Sequence, residues 1–104
     1  MTISTANVTT ATANVYASTG NTVVTFLSLC NYTASNVQAN VFVVPSGGSA
    51  GNLTAVIANI EIAAQDTYQF YVGNEKLILS NNDSIRVNAS ANNSISVLTS
   101  YTSA

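Results

Sequence analysis

Val37-Gln38-Ala39-Asn40-Val41-Phe42-Val43 alternates apolar and polar side chains, and Pro45-Ser46-Gly47-Gly48-Ser49-Ala50-Gly51 stops the pattern. On an extended chain Val37, Ala39, Val41 and Val43 fall on one side and Gln38 and Asn40 on the other, the mark of a strand with one face against a core. The stop is local chemistry: proline offers no amide donor to a ladder, and the glycines accept turn geometry. Period two dominates from about Thr10 onward, and no window holds the i, i+3, i+4, i+7 spacing of an amphipathic helix for long.

Outward from this strand, further candidates fall at 13–17, 22–30, 53–62, 67–72, 76–79, 84–89 and 94–101. Turn-forming clusters separate nearly all of them: Thr19-Gly20-Asn21, Thr33-Ala34-Ser35-Asn36, Ala64-Gln65-Asp66, Gly73-Asn74, Ser80-Asn81-Asn82-Asp83 and Ala91-Asn92-Asn93. Turn signals every 8–12 residues or so predict an antiparallel sandwich, here of about seven or eight strands. The 22–30 segment is apolar in both phases, as for a strand covered on both sides, with Leu27 and Leu29 the preferred inward pair. Near the carboxyl terminus, Ile85, Val87 and Ala89 are expected inward opposite Ile95, Val97 and Thr99, with Arg86, Asn88, Ser94 and Ser96 outward. Asn92-Asn93 would close that pair as a hairpin. The domain reading is therefore an amino-terminal arm, 1–12, and a sandwich domain, 13–104. The arm is too poor in apolar surface to hold itself down, and either frays or orders by docking on a neighbour.

Only 6% of the 104 residues are charged, there is no histidine or tryptophan, and the net charge is -2. An average soluble domain of this length would carry roughly 26 charged side chains. Acid/base catalysis, metal ligation and phosphate handling all draw on the residue types in short supply, so the chain is read as a non-enzyme that takes no cofactor. A composition that is 47% hydrophobic argues for a folded chain. With no basic patch, neither nucleic acid nor an anionic membrane is an expected partner. Weak charge repulsion favours association with copies of itself or with a larger assembly. Met1-Thr2-Ile3-Ser4-Thr5 has neither the basic start nor the apolar core of a secretory leader, and no stretch reaches membrane-spanning length.

Individual residues add little chemistry. Cys30, the single cysteine, lies in the apolar run Phe26-Leu27-Ser28-Leu29-Cys30 and is expected as a buried small hydrophobe. Asn-x-Ser/Thr patterns at Asn7, Asn31, Asn52, Asn82, Asn88 and Asn92 follow from 14 asparagines and 26 serines plus threonines, and are read as surface and turn residues. Asp66 and Asp83 each precede a strand as turn caps, and would share a divalent cation only if their loops met at one end of the sandwich. Glu75-Lys76 and Asp83/Arg86 are candidate surface ion pairs. Without histidine the usual Ser/His nucleophile is excluded, and Gly47-Gly48 leads to no helix or P-loop lysine. The residues singled out for contact with a partner are Ile3 and Val8 on the arm, with Tyr16, Tyr32, Tyr71 and Tyr101. The competing use of such loop aromatics, Tyr32 and Tyr71 with Asn74, is a sugar-binding platform.

Three segments together carry a family resemblance: Val23 to Thr33, Val41 to Gly47, and Asn82 to Ser90. The order is an apolar strand ending in Cys/Asn/Thr, a strand ending near Pro-Ser-Gly, then an Asn-Asp turn into an Ala/Ser-rich close. This resembles a recurrent pattern in small structural proteins of tailed bacteriophages, over about residues 14–102. The pattern has glycine ahead of the aspartate where this chain has Asn82. The resemblance implies an immunoglobulin-like sandwich that decorates or cements a capsid, neck or tail, with the major capsid or tail protein and copies of itself as partners. Its expected location is the virion, assembled in the host cytoplasm. An adhesion or carbohydrate-binding module on a fibre or cell surface is the alternative.

Overall fold

The period-two segments become strands, and so does the amino-terminal stretch. In the computed structural model, which describes residues 2–51, 53–70 and 77–103, these are β1 (Thr2–Val8), β2 (Ala13–Ala17), β3 (Thr22–Asn31), β4 (Val37–Val44), β5 (Ala55–Ile62), β6 (Thr67–Phe70), β7 (Leu77–Leu79), β8 (Ser84–Ala89) and β9 (Ile95–Ser103). A five-stranded sheet runs β1-β9-β3-β6, with β7 also on β3, and a four-stranded sheet runs β2-β8-β4-β5. Every pairing is antiparallel. The all-β sandwich expected from the turn spacing is therefore the fold; the described residues form nine strands rather than seven or eight, and no helix.

The core is what the alternation selects. Val37, Ala39 and Val41 from β4, and Ile85, Val87 and Ala89 from β8, meet Leu27 and Leu29 from β3 and Ile95 and Val97 from β9, all buried. Val43 packs against this cluster from its margin.

The ambiguity of 22–30 has a geometric origin. Val24 lies opposite Tyr101 and Phe26 opposite Ser100, so one extra residue bulges out of β3 at Thr25. A bulge of this kind reverses the phase of the strand beyond it. Thr22 and Val24 are buried before it, and Leu27, Leu29 and Asn31 after it. The two halves of the same β3 edge then take different partners, β7 on the first and β6 on the second.

Two expectations about connection are corrected. Ile85, Val87 and Ala89 of β8 and Ile95, Val97 and Thr99 of β9 face the core as expected, but β8 pairs with β2 and β4 while β9 pairs with β1 and β3. The Asn92-Asn93 turn thus carries the chain from one sheet to the other and closes no hairpin. Alternation says which side of a strand is wet, not which strand lies beside it. The second concerns the arm: residues 2–8 pair with β9 from Thr2–Tyr101 to Val8–Ile95 without a break. Their inward positions include Ala6, packed on the core, and Val8, fully covered. The ladder holds this segment, so little apolar side chain is needed.

Turn chemistry is met by asparagine as often as by glycine. Asn82 takes φ 69° and Asn93 φ 54°, as does Asn59 at φ 53° inside β5. Asn tolerates this left-handed region better than most residues with a Cβ, so Asn82 serves this turn without a glycine.

Candidate functional site

With the inward positions filled, the outward side of the five-stranded sheet follows by register. Ile3, Ser100 and Phe26 form one rung across β1, β9 and β3, and Leu98 and Ser28 sit opposite each other on the next rung of β9 and β3. Beyond the bulge, Ile78 of β7 lies against Val23. Ile3 is 62% exposed and Ile78 70% exposed, and Phe26, Leu98 and Val23 are half-covered. Ser100 is buried despite its outward phase because larger side chains flank it.

No charged side chain occupies this face among the described residues. Glu61 pairs in register with Gln38 and Arg86 with Phe42, which puts both on the four-stranded sheet. Asp66 and Asp83 lie in the turns before β6 and β8. The two outer faces differ in another way. On the four-stranded sheet the polar groups satisfy one another: the Asn59 N–H donates to Asn40 Oδ1 (2.7 Å), Asn40 Nδ2 to Asn88 Oδ1 (2.8 Å) and Asn88 Nδ2 to Thr12 Oγ1 (2.8 Å). That ladder crosses the sheet and leaves these groups little to offer a partner. The five-stranded face instead presents exposed apolar atoms among serine and threonine hydroxyls. Such a neutral, partly apolar surface loses little on desolvation and suits a protein partner.

One end of this face carries a polar cluster. The Tyr32 hydroxyl donates to Asn7 Oδ1 (2.9 Å), and Asn7 Nδ2 donates to Asn93 Oδ1 (2.9 Å). Tyr32 is 48% exposed. Beneath it Asn31 is fully buried and ties three segments together. Its Nδ2 donates to the carbonyls of Ser35 (2.7 Å), Ile62 (3.0 Å) and Ala63 (3.3 Å), and its Oδ1 accepts from the Thr33 N–H (3.0 Å) and hydroxyl (2.7 Å). Asn31 is therefore an internal brace, not the surface residue its glycosylation-like pattern suggested.

The residues singled out from the sequence divide three ways. Ile3 and Tyr32 are at the surface, on or beside the uncharged face. Val8 is in the core, 2% exposed, because it falls on the inward phase of β1 opposite Ile95, so it cannot touch a partner. Tyr16 and Tyr101 pack on each other across the sandwich, ring centroids 4.4 Å apart, and the Tyr16 hydroxyl donates to Thr22 Oγ1 (3.2 Å). Tyr71, Asn74 and the Glu75-Lys76 pair lie outside the described residues. Leu98 and Ile78 were not singled out, since the face they share depends on which strands are neighbours.

The remaining candidates resolve into structural roles. Asp66 accepts from the Thr67 N–H (2.8 Å), and its own carbonyl accepts from the Asn31 N–H (2.9 Å) at the far end of β3. Asp83 Oδ1 accepts from the Ser46 N–H (2.9 Å) and Oδ2 from the Ser80 N–H (2.9 Å), at the other end, where its carbonyl meets the Ser18 N–H (2.8 Å). A ten-residue strand, about 30 Å long, separates the two aspartates, so they share no cation. Among the described residues no group of His, Cys, Asp and Glu side chains is arranged to hold a metal. Arg86 Nε donates to Ser84 Oγ (3.3 Å) in place of the expected pair with Asp83. Cys30, expected buried, is half-exposed on the outward phase of β3, opposite Ser96 and Thr67.

Compared with family models, with curated proteins and with solved structures, the chain matches none.

Proposed function

We propose that this chain is a non-enzymatic structural component of a tailed-phage virion, one that decorates or cements the capsid, or a neck or tail surface, through subunit–subunit contacts. The observation that carries the reading is the uncharged, partly apolar outer face of the five-stranded sheet, in a molecule whose described charges all lie elsewhere. A protein that works by contact needs neutral area that is cheap to desolvate, and this face provides it. The resemblance to small phage structural proteins supplies the setting, and the immunoglobulin-like form of the sandwich belongs to this proposal. Bound across neighbouring subunits, the protein adds buried area and raises the barrier to particle disruption. The test compares thermal or osmotic disruption of particles with and without the protein. Greater resistance with it supports cementing, and equal resistance contradicts it.

A second reading, an adhesion or carbohydrate-binding module on a fibre or cell surface, is favoured by one observation. The exposed Tyr32 ring stands beside the Asn7 and Asn93 amides, an aromatic platform with neutral hydrogen-bonding groups. A glycan array decides it: retention of a sugar that is lost in Tyr32→Ala supports the module, and no retained sugar removes it.

A further inference from the structure

We propose that the free edge of β1 pairs antiparallel with the same edge of a second copy, joining two five-stranded sheets into one. An exposed edge strand is a template for pairing, and proteins blunt it with bulges, charges, prolines or short length. On the four-stranded sheet, β5 breaks register with β4 twice, holds Asn59 at φ 53° and carries Glu61, while the five-residue β2 breaks register around Val15. On the far side of the five-stranded sheet the edge is divided between two strands, β6 and β7, of which four and three residues are described.

β1 has none of these devices. Its seven residues, Thr2-Ile3-Ser4-Thr5-Ala6-Asn7-Val8, include no proline, glycine or charge and follow β9 without a register shift. That leaves a straight edge about 24 Å long. The Asn7 side chain leans the other way, toward Tyr32 and Asn93 over the sheet, and does not cap it.

The occupant follows from symmetry. A two-fold axis at Thr5 places Thr5 opposite Thr5 of the second copy, Ile3 opposite Asn7 and Ser4 opposite Ala6. Each pair matches outward with outward or inward with inward, so both cores stay closed and both uncharged faces end on the same side. A copy of this chain meets no like charge along the edge. One strand pair buries less than a standard stable interface, so association belongs at about 10–100 µM rather than nanomolar concentration. The pairing deepens the assembly role proposed above and rests on it for its biological purpose.

The test is sedimentation of the full-length protein across that concentration range, with Thr5→Lys and, in a Cys30→Ser background, Thr5→Cys. Thr5 is exposed, so lysine there leaves the core intact while placing two like charges face to face. The wild type is expected to shift from monomer to dimer, and Thr5→Lys to weaken this at least about tenfold at an unchanged melting temperature. Thr5→Cys is expected to cross-link under mild oxidation, with Ala13→Cys on β2 as the control that does not. The cross-link decides the matter if Thr5→Lys fails to fold. A wild type that stays monomeric, a Thr5→Lys protein that dimerises as well as wild type, or absence of the Thr5→Cys cross-link overturns the pairing. Binding to phage particles is read separately. A monomer that binds them overturns the pairing alone, and a dimer that binds none upholds the pairing while overturning the virion reading.

Discussion

Asn31 and Thr99 are both fully buried polar residues, with opposite consequences for stability. Asn31 satisfies three backbone carbonyls and two Thr33 groups at the end where β3 leaves the sandwich. Truncating it strips the buried Ile62 carbonyl of this donor and removes four part-buried bonds, and Asn31→Ala is expected to cost on the order of 1–3 kcal/mol in urea unfolding. A loss under about 0.5 kcal/mol would mean that water replaces the side chain. Thr99 is the reverse case: its hydroxyl is buried on the inward face of β9 with no hydrogen-bond partner. Thr99→Val keeps the branched shape and removes the orphan group, so stability should rise by about 1 kcal/mol and the melting temperature by several degrees. A fall in melting temperature would show that the hydroxyl has a partner. The inward phase of Thr99 was legible in the sequence, but its unpaired hydroxyl and the Asn31 brace were not. Asn31 sits in an Asn-Tyr-Thr triplet that reads as surface, and only the folding of residues 35, 62 and 63 around it makes it a brace.

At the scale of elements, β1 separates strand from arm. If it is a strand, deleting residues 1–8 uncovers the β9 edge and removes Val8 from the core, for a loss of at least about 3 kcal/mol in chemical denaturation. If it is an arm, the deletion changes stability by less than about 0.5 kcal/mol. The structure calls for the first outcome. The strand reading was hidden because Ser4, Ala6 and Val8, the inward set, are mostly small, so the segment shows no apolar alternation to find. β4 was legible for the opposite reason: Val37, Ala39 and Val41 give a clean period and Pro45 marks the end. β3 was legible as a strand but not in its facing, since the bulge at Thr25 exchanges the two phases midway. Partners were the least legible of all. Ile85, Val87, Ile95 and Val97 announced their inward faces, yet nothing local in the Asn92-Asn93 turn distinguishes a hairpin from a crossing between sheets.

The whole molecule joins early sequence to late, β1 to β9, and six of the eight connections between its described strands cross from one sheet to the other. Such distant pairings organise a surface that no single segment encodes. Glu61 and Arg86 fall on one outer face and none of the described charges on the other, although the sequence scatters them. Scarcity of charge was visible from composition, but its segregation was not, because it depends on which strand lies in which sheet. The proposed role rests on the five-stranded face as the surface offered to a neighbour. Cosedimentation of the purified protein with phage capsids and with tails tests this most directly, using wild type, the face variant Ser28→Glu/Ser96→Glu, and Gln38→Glu on the opposite sheet as control. Wild type and Gln38→Glu are expected to pellet with one of the two particles and the double variant to bind at least about tenfold more weakly; a double variant that binds as well as wild type, or a wild type that binds neither particle, would overturn that role.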